Sequence, residues 1–478
     1  MSSLAGRSVW YFFAPIGSSL ISLATLPIAT QVVGAPEYGA LAVAVAIAAL
    51  VTAIATASIG YVIPQFYLTE NDTNRSEIAS SAVINVTIAS LTAALILWPI
   101  TAALVPHFLL VNNSTLLGIN LCLLGAVAGS PWIVCSELLV LEGRARTFTV
   151  ATIGQALTNN SVLLLFLYLY PHPNLALFAG NVAGQCLLTL VSIGAISGKL
   201  SKPKNTYWFS RMLSQSIPIG RASLAEAGRN LLERSYLGAW ASVPTVGIYS
   251  HAQLYRNWTM QVLNAVSRAT WPINLSEAQE KKPNFTQTYA SWAIVQAGVT
   301  SVSLIFSLFG REIIDVLTSG QFIEAEPISV ILISGLLIQT VGKPHMALLI
   351  AKGEGYLVSN ASTIGVVTGV ITMVILIPMF GAIGAASSIV INATVTRALI
   401  VYYSGKIMKL RFAEGWVIFG LTASAALYSW REVADPQMDT RATVAIGIIL
   451  LIILKIRKSI IAFFKLRHHE KYHKNDKV

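Results

Sequence analysis

Fourteen apolar stretches of about 18 to 27 residues follow one another from Val9 to Leu454 with little between them. At about 1.5 Å rise per residue, roughly 20 apolar residues in a helix cross a hydrocarbon core of about 30 Å. The pattern predicts spans at 9–34, 38–62, 78–104, 114–140, 147–170, 174–196, 214–240, 243–268, 287–309, 326–351, 355–379, 383–405, 413–430 and 441–458. Too little remains outside them for a soluble catalytic domain. The expected class is an all-α integral membrane protein of about 14 transmembrane helices.

Composition agrees. Hydrophobic residues make up 55% of the 478 and charged residues 11%, against about 25% charged in soluble domains. Cys122, Cys135 and Cys186 all fall inside predicted spans, where they read as small packing residues and support neither a disulfide framework nor a metal site. The first apolar run is too long for a signal peptide and lacks a small-residue cleavage site, so it is expected to stay as the first span.

The net charge of +11 does not point to nucleic acid, because the charges are sorted by loop. If the N-terminus is cytoplasmic, that side holds Arg7, Arg75, Arg144, Arg146, Lys199, Lys202, Lys204, Arg211, Arg268, Lys281, Lys282, Lys352, Lys406, Lys409, Arg411 and the tail from Lys455 to Lys477. The opposite loops hold Arg311, Arg431 and Arg441. This is the positive-inside asymmetry, and it predicts a multi-pass protein of the cell's inner (cytoplasmic) membrane with both termini cytoplasmic.

The longest cytoplasmic connection, Gly198 to Leu213, follows the sixth span. The turn Gly34-Ala35-Pro36-Glu37-Tyr38-Gly39 after the first span and the turn Val243-Pro244-Thr245-Val246-Gly247 after the seventh align at an offset of 208 residues. The same offset brings Leu104-Val105-Pro106 near Glu312-Ile313-Ile314. Two parallel six-helix repeats follow: an N-lobe over 1–197, a linker over 198–213, a C-lobe over 214–408, two further helices over 409–458 and a basic tail over 459–478. The expected architecture is two pseudo-symmetric lobes around a central cavity.

The same segments carry a resemblance. Gly34-Ala35-Pro36-Glu37-Tyr38-Gly39, Ile377-Pro378-Met379-Phe380-Gly381-Ala382-Ile383-Gly384, Gly310-Arg311-Glu312-Ile313-Ile314 with Gly320-Gln321-Phe322, and Ser216-Ile217-Pro218 with Glu233-Arg234 resemble, in order and spacing, the multidrug/oligosaccharidyl-lipid/polysaccharide (MOP) exporter superfamily. Within it the chain looks most like the polysaccharide-transport branch that includes the Wzx-type O-antigen flippases. Glu233 departs from the pattern, since many relatives have Asp before the Arg.

Ionisable residues at bilayer depth are costly and are functional candidates by default. Away from helix ends these are Arg221, Arg229, Arg234, Arg256, Lys343 and Arg397, with Glu226 and Glu233, and Glu137 near an inner end. The first-half spans carry neutral groups instead, among them Asn85, Gln155, Asn159, Asn160 and Gln185. Arg221, Ala225, Arg229 and Glu233 recur every four residues and share one helix face, within reach of Glu226. Two readings of this stripe stand open: Glu226, Arg229 and Glu233 neutralise one another along the helix, or the arginines line a cationic vestibule. Arg234 could snorkel to the interface, and Lys343 could line a helix break before Pro344. Arg221, Arg256 and Arg397 have no acidic partner four residues away, which favours a ligand role. Guanidinium suits phosphate through paired charge-assisted hydrogen bonds.

Two motifs fail their structural context. His469-Glu470-Lys471-Tyr472-His473 matches H-E-x-x-H but sits in a polar basic terminus, better read as attracted to anionic lipid. Gly194 to Lys199 imitates a P-loop with the wrong glycine spacing. No metal, nucleotide or cofactor site is expected.

The resemblance implies a non-enzymatic flippase working by alternating access. It would move a polyprenyl-pyrophosphate-linked oligosaccharide, a repeat unit of O-antigen or another surface polysaccharide, from the cytoplasmic to the outer leaflet. Its partners would be that lipid, the surrounding membrane lipids, a polysaccharide polymerase and chain-length machinery. Arg221, Arg229, Arg256, Arg397 and Lys343 are the expected substrate-binding residues, and Glu226 and Glu233 the candidates for coupling to H+ or Na+. The rival within transport is an ion-coupled multidrug exporter, whose usual cationic substrates would prefer an acidic interior. A membrane-embedded glycosyltransferase or polymerase would need a larger outer loop than Gly310 to Glu326.

Overall fold

The computed structural model describes residues 4–59, 63, 66–67, 70–109, 113–169, 173–197, 200, 207–279, 285–408, 410 and 414–475. Lys199, Lys202, Lys204, Lys281, Lys282, Lys409, Arg411 and Lys477 of the basic set lie outside the described residues.

The helices are α1 (Leu4–Val32), α2 (Ala35–Ile59), α3 (Asp72–Leu109), α4 (Asn113–Gly129), α5 (Pro131–Leu141), α6 (Ala145–Leu169), α7 (Pro173–Ile196), α8 (Tyr207–Trp240), α9 (Val243–Gln279), α10 (Thr286–Thr318), α11 (Ala325–Ala351), α12 (Gly355–Ile407), α13 (Glu414–Ala434) and α14 (Met438–Asn475). No strand occurs among the described residues. In lipid the backbone must satisfy its own hydrogen bonds, and helices do so within each segment. Nine described stretches are long and apolar enough to cross a membrane. α8 and α9 are not among them, because the charges that make them interesting lower their hydropathy.

Three predicted spans take unexpected forms. The fourth is interrupted at Ser130, where Pro131 opens α5 and supplies no N–H to continue α4. The eleventh and twelfth merge as α12, whose 53 residues fold back at Gly381, with φ of 55° and ψ of −128°, a conformation open to glycine and strained for other residues. Gly365 in its first half faces Asn392 and Thr396 in its second, which confirms the hairpin. Elsewhere helices outrun their spans: α8 begins at Tyr207, inside the predicted linker, and α14 continues through the basic tail to Asn475.

The chain forms two compact units: Met1–His251 with Val316–Phe322 and Met373–Ala385, and Ala252–Asp315 with Ile323–Thr372 and Ala386–Val478. In the first, α2 is alanine-rich and buries Ala40, Val43, Ala44, Ile47, Val51 and Ala55 along one stripe. It packs against α3, α4 and α8. Small residues permit the close approach: a Cβ on Gly220 of α8 would come within 2.5 Å of the Ala57 Cβ. Ile59, Ile78, Val134, Leu138 and Met212 complete that core.

The two turns aligned at an offset of 208 residues meet. A Cβ on Gly39 would strike the Val243 carbonyl, and one on Gly247 would strike the Ala35 carbonyl. Ala35 and Val243 stand 208 residues apart, as do Gly39 and Gly247. The contact is therefore reciprocal, as a local two-fold relation between the turns requires. Gly247→Ala is expected to destabilise the protein by about 1–3 kcal/mol through overpacking. Gly447→Ala, where a Cβ meets nothing within 4 Å, should be neutral or slightly stabilising. Melting of the two variants in detergent checks the contrast, and equal melting points would contradict it.

In the second unit, Trp292, Val295 and Val299 of α10 pack with Leu263 of α9, Leu336 and Leu337 of α11 and Val417 of α13. Ala297 and Leu304 of α10 pack with Trp416 of α13 and with Ile452 and Ile456 of α14. The last two helices are thus seated on α10.

Candidate functional site

The α8 stripe folds into an ion cluster within the first unit. Arg229 is 3% exposed and Glu233 0%. The Arg229 fork donates to both Glu226 oxygens, from Nε at 3.2 Å and from Nη2 at 2.8 Å. Its Nη2 also donates to Asn230 Oδ1 at 2.7 Å, and its Nη1 to Glu233 Oε2. Tyr249 of α9, fully buried, donates its hydroxyl to the other Glu233 oxygen. Of the two readings of this stripe, the geometry is that of mutual neutralisation: the guanidinium expected to face phosphate is surrounded by two carboxylates and an amide. The i+3 and i+4 spacings bring the carboxylates to it, and burial makes the pairing obligatory. Glu226 differs from Glu233 in keeping 45% of its side chain exposed. Arg221, two turns before Arg229, is exposed.

The aligned turn adds aromatics to this region of the first unit. Tyr38, at the start of α2, meets His251 edge-on with centroids 5.8 Å apart and Phe322 at 5.3 Å. His251 stacks on Phe322 at 4.3 Å.

Arg256, Lys343 and Arg397 belong to the second unit. Arg256 is half-buried on α9. The other two come together where the second half of α12 crosses α11. Arg397 lies across Gly342: a Cβ there would strike its Cδ and stand 3.1 Å from Nη1 and 3.2 Å from Nε. Lys343 is the next residue and lies within the field of Arg397. Among the described residues neither has a carboxylate partner, and Arg397 Nε is buried with no hydrogen-bond partner. α11 runs through Pro344 without interruption, so the helix break considered for Lys343 does not form. Two residues past Lys343, His345 Nδ1 and Ser404 Oγ are 2.6 Å apart.

Arg431 and Arg441, read from sequence as loop charges, are built into the second unit. Arg431 is 4% exposed and donates to Glu326 and, at 2.6 Å, to Glu432. Arg441 Nη1 donates to Glu312 at 2.5 Å and to the Leu308 carbonyl at 3.2 Å. Among the described residues no group of three or more His, Cys, Asp or Glu is placed to hold a metal ion.

A family profile described as "polysaccharide biosynthesis protein" matches residues 30–327, more than half of the chain. The chain belongs to that family. A curated relative, the "probable low-salt glycan biosynthesis flippase Agl15" of Haloferax volcanii, is 24% identical over 211 residues, which are 41% of this chain and 45% of that protein. The match thus spans less than half the relative's length. Among solved structures, the lipid II flippase MurJ in an inward closed conformation aligns with a TM-score of 0.74 at 12% identity, covering 95% of this chain and all of that one. An inward-facing multidrug resistance transporter of the MATE family aligns with a TM-score of 0.64 at 14% identity, covering 88% and 99%. These likenesses establish the all-α fold of long apolar helices expected from the sequence.

Proposed function

We propose that this chain is a flippase for an oligosaccharide carried on a polyprenyl pyrophosphate, moved from the cytoplasmic to the outer leaflet of the cytoplasmic membrane by alternating access, with both termini cytoplasmic. The observation that carries the reading is the charge balance at membrane depth. Glu226, Glu233 and Glu326 are each held by an arginine, while Lys343 and Arg397 lack a counter-ion among the described residues. Unneutralised cations in a low-dielectric interior favour an anionic substrate. A multidrug exporter of cationic compounds would be expected to show the reverse balance.

Arg221, Arg256, Arg397 and Lys343 are the cations proposed to meet the substrate. Arg229 is proposed to hold its own carboxylates instead. For coupling to H+ or Na+, Glu226 is the better candidate, since half its side chain is open while Glu233 is enclosed.

The test is the leaflet position of the lipid-linked oligosaccharide in spheroplasts, read with an impermeant glycan probe with and without this protein. Loss of outer-leaflet signal on deletion is expected. Unchanged signal together with retention of a cationic dye would assign the protein to the drug exporters.

A further inference from the structure

We propose that the first unit carries a binding site for the headgroup of an anionic phospholipid, built around Arg211 in a cradle of aromatic rings on the side of the basic loops. Its ligand is an ordinary membrane lipid, so the site does not depend on which substrate the protein carries. Arg211 is also separate from the cations proposed to meet that substrate.

The connection from Gly198 to Leu213 contains Lys199, Lys202, Lys204 and Arg211, no acidic residue, and the consecutive aromatics Tyr207, Trp208 and Phe209. Its second half is the start of α8. Trp208 and Met212, one turn apart, are buried in a core with Phe66, Ile78 of α3 and Leu138 of α5. That packing fixes the first turns of α8. Tyr207 and Arg211, also one turn apart, share a neighbouring face, where Tyr207 is 52% exposed and Arg211 partly buried.

The Arg211 guanidinium lies 5.0 Å from the Phe66 ring centre, 5.5 Å from that of Tyr207 and 5.6 Å from that of Trp208. Its Nη1 donates to the Tyr207 hydroxyl at 2.6 Å. Among the described residues it has no carboxylate partner. Carboxylates of the same region are held elsewhere. Glu142 accepts from the Tyr67 hydroxyl at 2.9 Å and stands 3.9 Å from Arg144, and Glu70 accepts from Asn74 at 2.9 Å. A second cation repeats the arrangement beside the first: Arg75 lies over the Tyr67 ring at 5.6 Å and donates from Nε to the Tyr67 carbonyl at 2.8 Å.

Depth selects the ligand. The apolar stretch of α3 begins at Asn74, next to Arg75, and the span predicted within α8 begins at 214, just past Arg211. Both arginines therefore stand where hydrocarbon gives way to headgroups, the level at which Tyr and Trp concentrate. Rings orient a guanidinium without neutralising it, and a fork so held can bond two phosphate oxygens. The open Tyr207 ring adds apolar surface for the glycerol and upper acyl chain beside that phosphate. An acidic soluble segment would gain the charge contact alone.

The full chain is reconstituted in phosphatidylcholine nanodiscs doped with phosphatidylglycerol, and bound lipid is ranked by native mass spectrometry. Wild-type protein is expected to retain phosphatidylglycerol over phosphatidylcholine. Arg211→Gln should lower phosphatidylglycerol affinity about fivefold or more, the value of one basic contact at headgroup level. Tyr207→Leu should lower it with the charge intact. Arg146→Gln removes an exposed charge from the same set of loops without touching the cradle, and should leave the affinity near that of wild type. Arg211→Lys keeps the charge and loses the fork, so it should fall between wild type and Arg211→Gln, and it takes the place of Arg211→Gln if that variant does not elute folded.

Wild-type affinity in Arg211→Gln, or in Arg211→Lys where it stands in, would overturn the site. An equal loss in Arg146→Gln would overturn it as well, because attraction would then follow net charge rather than the cradle. Full displacement of phosphatidylglycerol by inorganic phosphate at the same concentration would assign the cradle to a free anion and remove the lipid from it.

Discussion

Glu233→Ala is expected to cost on the order of 3 kcal/mol of stability and to lower the yield of folded protein sharply. Removing one partner of a buried ion pair leaves the other charge uncompensated, which costs about 3–5 kcal/mol in general. Here Arg229 keeps Glu226 as a partner, so the lower end applies. Tyr249 adds to the loss, because its buried hydroxyl gives up the carboxylate it donates to. Glu226→Gln should cost about 1 kcal/mol or less, since that side chain is 45% exposed. The double change Arg229→Met with Glu233→Leu should recover much of the loss, as apolar groups of similar volume often replace a buried pair without penalty. Thermal melting in detergent ranks the variants. If Glu233→Ala and Glu226→Gln melted alike, the burial argument would fail. Glu226→Gln also bears on coupling: an unchanged pH dependence of transport in this variant would remove Glu226 as the coupling group.

Much of this was legible along the chain, for reasons that differ by residue. The spans follow from hydropathy, because lipid demands uninterrupted apolar helix. The α8 cluster could be read as a pattern because i+3 and i+4 neighbours meet on any helix. Its outcome as a closed network was one of two open readings, since the sequence does not show what faces the stripe. Tyr249 escaped notice because it reaches Glu233 from the next helix, and no local period links positions 16 apart. Gly342 escaped because a missing side chain has meaning only beside the Arg397 that fills its place. The two short turns shared an offset in the sequence, and their reciprocal contact required coordinates. Arg431 and Arg441 were assigned to topology by their place in loops, whereas α13 and α14 extend far enough to carry both into contact with α10 and α11.

That misassignment carries the other large effect. Arg431→Ala is expected to destabilise the second unit by about 3–5 kcal/mol, more than Arg441→Ala. Arg431 and Glu326 are both nearly buried, with side chains 4% and 6% exposed, and the Arg431 guanidinium also sits 5.0 Å from the Tyr428 ring centre. Gly310 of α10 packs on the same Glu326 side chain, 3.2 Å from its Cγ to a Cβ placed on the glycine. One arginine therefore fastens α13 to α11 where α10 passes. Arg441 is paired with a partner 32% exposed, where solvent takes up more of the loss, and Arg441→Ala should cost about 1 kcal/mol. The apolar seam of Trp416, Ile452 and Ile456 on α10 should keep α13 and α14 associated in that variant. Limited proteolysis between Ala434 and Met438 reads this directly. Faster cleavage in Arg431→Ala than in Arg441→Ala is the expected result, and the reverse order would mean that the apolar seam, rather than the buried pair, holds α13 in place.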